Sequence, residues 1–451
     1  MNKFFFLFSK FFLFFSLLVF VFIIFKFKAY DFKNLDKNTL KYTIFFGCIF
    51  FSSVIYYFIN NNLKGKIFLI FFSITISFYA IESYLNYKDY ISSVKYYAKK
   101  NKNYYDDRSR YEYYINRKSE DKSVVISMPP FIIHRDYFKF PEKYKLLPLG
   151  GISKKITIFC NESGKFVEYF SDRYGFNNPD DEWEKEKHIF FLGDSYAHGV
   201  CVDQEKTITG KIRDKKKSNN LGFINLGQRG NGPLSELGSF LEYSKITNIQ
   251  KVFWLYYEGN DLKNLRYENK IKFLNNYINK ENFLQDLVNQ QELIDNYLYG
   301  IFDDRLGFEK RTSYYLKENK FFVFLKLKKF RDKLKKIKLN NKKNYKKEIK
   351  KFEEILIKAK KEIRNLNAEL YFVYIPTYQR FNNLSLSKED EQNYKEIKSI
   401  VNELEIEFID LNSQLLKKVR NPKNIYPYGL PKHFNEKGYE NIAEILYEYI
   451  F

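Results

Sequence analysis

The first 85 residues alternate long apolar runs with short polar breaks. From Phe11 to Phe25 the run FFLFFSLLVFVFIIF is uninterrupted, and it reaches bilayer length if Phe4 to Phe8 join it across Lys10. Two more apolar runs begin at Tyr42 and Ile67, with NNNLKGK between them read as a tight turn around Gly65. The pattern predicts three membrane-spanning helices within residues 4–85, the first the least regular in length. A cleaved signal peptide is disfavoured, because KFKAYDFKNLDKN after the first run offers no small-residue cleavage site.

Past the apolar region the pattern changes twice. Residues 86–123 are polar, charged and rich in tyrosine, and read as a stalk or exposed helix. From Val124 onward, short apolar runs recur: HIFFLGD, FINLG, KVFWLYYEGND, AELYFVYIPT and IEFIDL. Helical patterns separate several of them, and YENIAEILYEYIF closes the chain. Strands alternating with helices predict an α/β three-layer sandwich, a parallel sheet covered on both faces, over residues 124–451. A helical insertion at about 263–366 interrupts it, lysine-dense from Lys320 to Arg364. That segment reads either as a basic amphipathic arm on anionic headgroups or as a solvated helical pair covering one edge of the domain; the second is preferred.

Composition changes this picture little. The 451 residues carry 76 Lys+Arg against 54 Asp+Glu, a formal net charge of +22. The lysines are scattered and no nucleic-acid module accompanies them, so compositional drift accounts for the charge and no nucleic-acid partner is expected. Of three cysteines, Cys48 lies in an apolar run, while Cys160 and Cys201 lie in the polar part. With no CxxC pair and no Cys/His cluster, neither a metal nor another cofactor is expected. A Cys160–Cys201 disulfide is possible, but spacing alone does not require it, so the cysteines leave the redox compartment open.

Four short motifs fall at strand ends, where open α/β sheets place their sites. Gly193-Asp194-Ser195 follows IFFL; a serine on a strand-to-helix turn exposes its hydroxyl and frees its backbone N–H for an anion. Asn225 to Gly232 form a glycine-rich loop that permits close backbone approach. Gly259-Asn260-Asp261 ends the third strand; Asn260 can donate to a developing oxyanion, while Asp261 suits a helix cap. His433, one of only 4 histidines, opens the last helix and is a natural base for Ser195. Singly, each motif is ordinary: a turn, a flexible loop, a cap, a structural histidine.

In this order, the four resemble the SGNH/GDSL hydrolase superfamily. FLGDSYAHG matches its serine block, INLGQRGNG its glycine block, YYEGNDL its asparagine block and KHFNEKGY its histidine block. SDRYGFNNPDDEW is similar to a lead-in seen in membrane-associated members. The resemblance spans about residues 170–451 apart from the insertion. It implies an SGNH-like sheet, Ser195 as nucleophile, His433 as base, and an oxyanion site formed by the backbone N–H groups of Ser195 and Gly230 with the Asn260 amide. Asp194, His198 and Asp261 are accessory candidates, His198 as a pocket or substrate contact.

One position departs from the family pattern. The superfamily places an aspartate three residues before the histidine, and here that residue is Leu430. Three readings stay open: a backbone carbonyl orients the ring, Asp410 reaches it from the IEFIDL strand, or the domain is a weak or inactive envelope scaffold. The resemblance, with the apolar N-terminus, implies ester hydrolysis or O-acyl transfer on an envelope glycan or lipid at the bilayer. Three spans are too few for a complete acyl-donor transporter, so transfer would call for a membrane partner protein. Lys3 and Lys10 favour an inside N-terminus, and Lys26, Lys28, Lys33, Lys37 and Lys41 favour the reverse; the resemblance tips the expectation towards an extracytoplasmic domain.

Overall fold

Successive residues of a strand face opposite sides, and the five apolar runs use both. The computed structural model describes residues 2–28, 37–216, 220–314, 320–340 and 344–451. Among the described residues eight strands form two sheets: β1 (Val125–Ile126), β2 (Ile156–Cys160) and β3 (Val167–Phe170), then β4 (Lys187–Gly193), β5 (Leu221–Asn225), β6 (Ile249–Tyr257), β7 (Glu369–Ile375) and β8 (Glu407–Asp410). The larger sheet has order β5-β4-β6-β7-β8 and is parallel throughout. The expected α/β architecture is what the chain adopts.

The two faces bury different residues of the same strands. Phe190, Leu192, Val252, Trp254, Phe372 and Tyr374 join one core with the helices Pro233–Tyr243 and Lys346–Asn365. Ile189, Phe191, Phe253, Leu255, Val373 and Ile375 join the other with Ile208–Lys215 and Glu436–Ile450. Continuous apolar strands are what a sheet covered on both sides requires. The second half of the insertion supplies part of this cover, since Lys346–Asn365 buries Ile349, Phe352, Ile355, Leu356, Ala359 and Ile363 directly before β7.

The chain divides into two compact units, residues 1–86 with 324–333, and residues 87–323 with 334–451. The first contains α1 (Asn2–Lys28), α2 (Lys37–Phe58) and most of α3 (Asn61–Ile91). Among the described residues two helices are long and apolar enough to cross a membrane, over Lys3–Phe25 and Asn61–Ile91. The apolar stretch of α2, Thr43–Phe58, is the shorter one. The turn expected at Gly65 lies earlier: α3 starts at Asn61, where the Asn60 side chain accepts from Leu63 N–H at 2.8 Å, so Gly65 is helical. The loop at 29–36, with Lys33, lies outside the described residues. Within this first unit Glu82 is buried and its carboxylate accepts the backbone N–H groups of Lys329 and Phe330 at 3.0 and 2.8 Å. Part of the basic insertion is therefore fastened to an apolar helix.

Residues 87–123 are more than a solvated stalk. The helix Arg110–Glu120 starts with a capping box between Ser109 and Glu112. It buries Tyr114 in the main core, and Arg110 pairs with Glu309 at 3.1 Å.

Candidate active site

Strand β4 ends at Gly193, whose φ of +150° and near approach to the Leu255 carbonyl leave no room for a Cβ. The chain turns there into the helix Ser195–His198, capped by Asp194 through a 3.0 Å bond from Tyr196 N–H. Ser195 Oγ stands 3.0 Å from His433 Nε2 and 3.1 Å from Asp194 Oδ2. One hydroxyl proton serves one acceptor at a time, so Asp194 competes for it unless the imidazole takes it. Burial raises the Asp194 pKa, opposed by the N–H and hydroxyl groups it accepts and by His433.

His433 lies just before the last helix, packed against Tyr196 with ring centroids 5.2 Å apart. Its Nδ1 contacts both oxygens of Glu162, at 3.1 and 3.0 Å, and its backbone N–H donates to Glu162 Oε2 at 3.0 Å. Burial alone would raise the Glu162 pKa, but the His433 ring and these hydrogen bonds outweigh it and hold the carboxyl at about 2. A carboxylate is thus fixed on the far nitrogen of the ring that meets the serine.

Glu162 answers the question posed by Leu430. Leu430 is buried and apolar. Asp410 is spent elsewhere: it caps the helix Leu411–Lys418 through Asn412 N–H at 2.9 Å and accepts from the Tyr394 hydroxyl at 3.1 Å. The carboxylate on His433 Nδ1 comes from the turn between β2 and β3, a region no motif had marked. Its setting is firm. Asn161 accepts from Gly164 N–H at 2.9 Å, Asp106 N–H donates to the Gly164 carbonyl at 2.8 Å, and Cys160 is disulfide-bonded to Cys201 with Cα atoms 5.3 Å apart. The two cysteines were the one available signal. Joining Cys160 to Cys201, six residues past Ser195, forces the NESGK turn to the serine.

The three expected oxyanion donors sit after β4, β5 and β6, which are neighbours in the sheet. Gly230 has φ +91° and open space around it. Its loop is anchored from behind by Glu268, which accepts Gly232 N–H at 2.8 Å, Leu234 N–H at 3.1 Å and the Ser235 hydroxyl at 2.5 Å. Asn260 stands at the start of the helix Asp261–Glu268 without capping it, and its Oδ1 is buried with no partner. Asp261 is fully buried and accepts Tyr257 N–H at 2.8 Å, so it braces the strand end and does not face a ligand.

His198 does not line an open pocket. It is 1% exposed, its Nδ1 accepts Arg229 N–H at 3.0 Å, and its Nε2 meets the Tyr169 hydroxyl at 3.2 Å. Burial, then the Arg229 charge, lowers its pKa to about 3. It is a neutral brace between the Gly230 loop and the β2–β3 hairpin.

The lead-in segment is also structural. Asp172 accepts Tyr174 and Phe176 N–H, the Asn178 amide and the Trp183 indole, at 2.8–2.9 Å. Burial pushes its pKa up to about 6 against those bonds. Asn178 exchanges bonds with the Asn225 backbone, and the Asn225 amide reaches the Ala197 carbonyl at 2.6 Å. The segment therefore buttresses both the Ser195 helix and the Gly230 loop. Among the described residues no cluster of His, Cys, Asp and Glu could hold a metal.

Comparisons with known proteins give sparse results. No family model matches, and no curated protein matches. Among solved structures the chain is similar to an acetyl xylan esterase, at 13% identity over 58% of this chain and 100% of the other, with TM-score 0.33. It is likewise similar to a G-D-S-L-family lipolytic protein from Veillonella parvula, at 13% identity, 58% and 97% coverage and TM-score 0.31. A lipase/acylhydrolase from Enterococcus faecalis matches at 12% identity, 58% and 95% coverage and TM-score 0.31.

Proposed function

We propose that this chain is a membrane-attached serine acyl-ester enzyme, a hydrolase or an O-acyltransferase, working through Ser195, His433 and Glu162. The observation that carries the reading is the 3.0 Å contact of Ser195 Oγ with His433 Nε2, whose Nδ1 rests on Glu162. A serine is a weak nucleophile until a base takes its proton, and the base needs its far nitrogen oriented. In the proposed course Ser195 Oγ attacks the ester carbonyl and His433 takes the hydroxyl proton. The backbone N–H groups of Ser195 and Gly230 and the Asn260 amide stabilise the oxyanion. His433 returns the proton to the leaving alcohol. Water or an acceptor hydroxyl then attacks the acyl-enzyme in the same way.

The order of the four motifs, which resembles the SGNH/GDSL pattern, supports the same chemistry. The apolar helices support placement at a bilayer and so an envelope glycan or lipid substrate; transfer would draw on a membrane acyl-donor partner. The Cys160–Cys201 disulfide supports an oxidising, extracytoplasmic location for the α/β unit.

A fluorophosphonate probe tests the nucleophile. We expect labelling of wild-type protein at Ser195, none in Ser195→Ala, and loss of hydrolysis of an activated acetyl ester in the same variant. Labelling and turnover that survive Ser195→Ala would sink the reading. A reporter fused at residue 150 tests the side of the membrane.

A further inference from the structure

We infer that the guanidinium of Arg229 is the centre of an anion subsite beside the oxyanion loop, seating a carboxylate or phosphate carried by the substrate; this rests on the acyl-ester reading above. Arg229 precedes Gly230 in the turn that follows β5, a turn closed by Asn231 N–H on the Gln228 carbonyl at 3.0 Å. Its backbone is pinned, since Arg229 N–H donates to His198 Nδ1 at 3.0 Å. Its side chain is not. It is half-buried, and among the described residues its guanidinium has no hydrogen-bond or ion-pair partner. Space is open beside it at Gly230, where a Cβ would meet nothing within 4 Å.

The surroundings carry an excess of the same charge. Glu309 is buried, and its Oε1 receives both Arg110 Nη1, at 3.1 Å, and Arg305 Nη1. Arg305 is 1% exposed, and its Nε donates to the Ser127 carbonyl at 3.0 Å. Because β1 runs parallel to β2, Ser127 leaves β1 at the end where Glu162 leaves β2. From there the path to Arg229 is short. Ser127 N–H donates to the Ile158 carbonyl, and the Phe159 ring packs at 4.3 Å on His198, which holds Arg229.

These cations act on one another. Burial lowers the Arg110 pKa to about 10; Glu309 opposes the shift, while Arg305 and Arg229 add to it. Burial also lowers the Arg305 pKa, again with Glu309 opposing and Arg229 adding. Three guanidinium groups thus gather around one carboxylate, and Arg110 Nε is buried without a partner. A cation in open solvent needs no counter-charge, but one packed among other cations does. An anionic substrate group would supply it. Guanidinium groups bind carboxylates and phosphates through paired N–H bonds. Position sets the reach: Arg229 adjoins the proposed oxyanion donor Gly230, so the anion belongs to the unit that carries the ester or to the next one. An acylated acidic sugar and an acylated glycerophosphate share this chemistry.

The test uses full-length protein in detergent and compares esters in pairs that differ in the anionic group. One pair is O-acetylated trigalacturonate and its carboxyl-reduced counterpart. The other is lysophosphatidylglycerol and the monoacylglycerol of the same chain. The quantity read is the ratio of kcat/KM, anionic over neutral, so a general effect on catalysis cancels. In wild type we expect this ratio to reach about tenfold or more in at least one pair, and the pair that responds identifies the source of the anion. Arg229→Gln should bring the ratio to about one, Arg229→Lys should keep part of it, and added salt should reduce it. No preference in either pair, or a preference that Arg229→Gln leaves intact, would overturn the assignment. Calorimetry on Ser195→Ala with unacetylated trigalacturonate and with glycerol phosphate measures binding without turnover, and adding Arg229→Gln should weaken it about tenfold. If no ester is hydrolysed, the catalytic reading falls and the calorimetry still decides the subsite: binding that requires Arg229 upholds it, and binding indifferent to Arg229, or none, overturns it.

Discussion

Replacing Glu162 probes the assembly at the place where sequence reasoning was blind. Glu162→Gln keeps the side-chain volume but removes the charge, and it sets an NH2 group against one of two donors, His433 Nδ1–H or His433 N–H. The attraction lost is greatest when the ring becomes imidazolium in the transition state. At the observed 3.0 Å and an effective dielectric of about 20, Coulomb's law gives about 5.5 kcal/mol. That ceiling corresponds to about four decades in rate. The side chains of His433 and Glu162 are 20% and 17% exposed, so water screens part of it. We therefore expect kcat on 4-nitrophenyl acetate to fall about a hundred- to a thousandfold with KM nearly unchanged, since the interaction strengthens only in the transition state. Glu162→Asp, shorter by one methylene, should recover part of the loss. The decisive comparison is with Ser195→Ala. If Glu162→Gln keeps more than about a tenth of wild-type kcat while Ser195→Ala has none, the ring is oriented by something else and the reasoning fails.

Four further outcomes follow from the same geometry. Cys160→Ser opens a 41-residue loop and should cost about 4 kcal/mol by the loop-closure relation, with a matching loss of kcat as the Glu162 turn loosens; thermal melts and turnover check both. His198→Ala strands the Arg229 N–H and should lower stability by about 1–3 kcal/mol, read from urea midpoints, and lower kcat because the Gly230 loop loses its brace. Gly230→Ala meets no neighbour within 4 Å, so only the φ of +91° opposes it; we expect about 1–2 kcal/mol of destabilisation and a larger loss of kcat, and equal small effects on both would remove Gly230 from the oxyanion site. The folded Glu162 pKa lies below its ordinary value, so its stabilisation is present above the normal carboxyl range and is lost as pH falls from about 4.5 towards about 2; the stability gap between wild type and Glu162→Gln should close over that window.

The sheet was readable because its strands announce themselves. β4, β6 and β7 are apolar on both faces, and only a strand buried on two sides tolerates that. Ser195, Gly230 and Asn260 were readable for a related reason, since a parallel sheet delivers neighbouring strand ends to one edge and short loops hold their residues there. Residues 87–123 were harder. Their surface is mostly polar, and the anchoring tyrosines, Tyr113 and Tyr114, do not stand out among the others of the segment. The basic insertion misled similarly: its lysines suggest solvent, while residues 324–333 are fastened partly by backbone N–H groups, which no side-chain pattern records, and partly by Phe324 and Phe330 against Tyr79 and Phe78.

Glu162 was invisible for a deeper reason, and it bears on how the site is built. Local sequence rules describe what a residue does to its own neighbourhood, and an Asn-Glu-Ser-Gly turn looks like any hairpin. Its partner lies 271 residues away. What closes that distance is the Cys160–Cys201 bond together with the His198 contact to Tyr169, each joining the small sheet to the loops of the large one. Leu430 then ceases to be a defect. The carboxylate that meets His433 Nδ1 stands on the turn of a separate sheet, and the disulfide beside it ties that turn to the loop that carries Ser195.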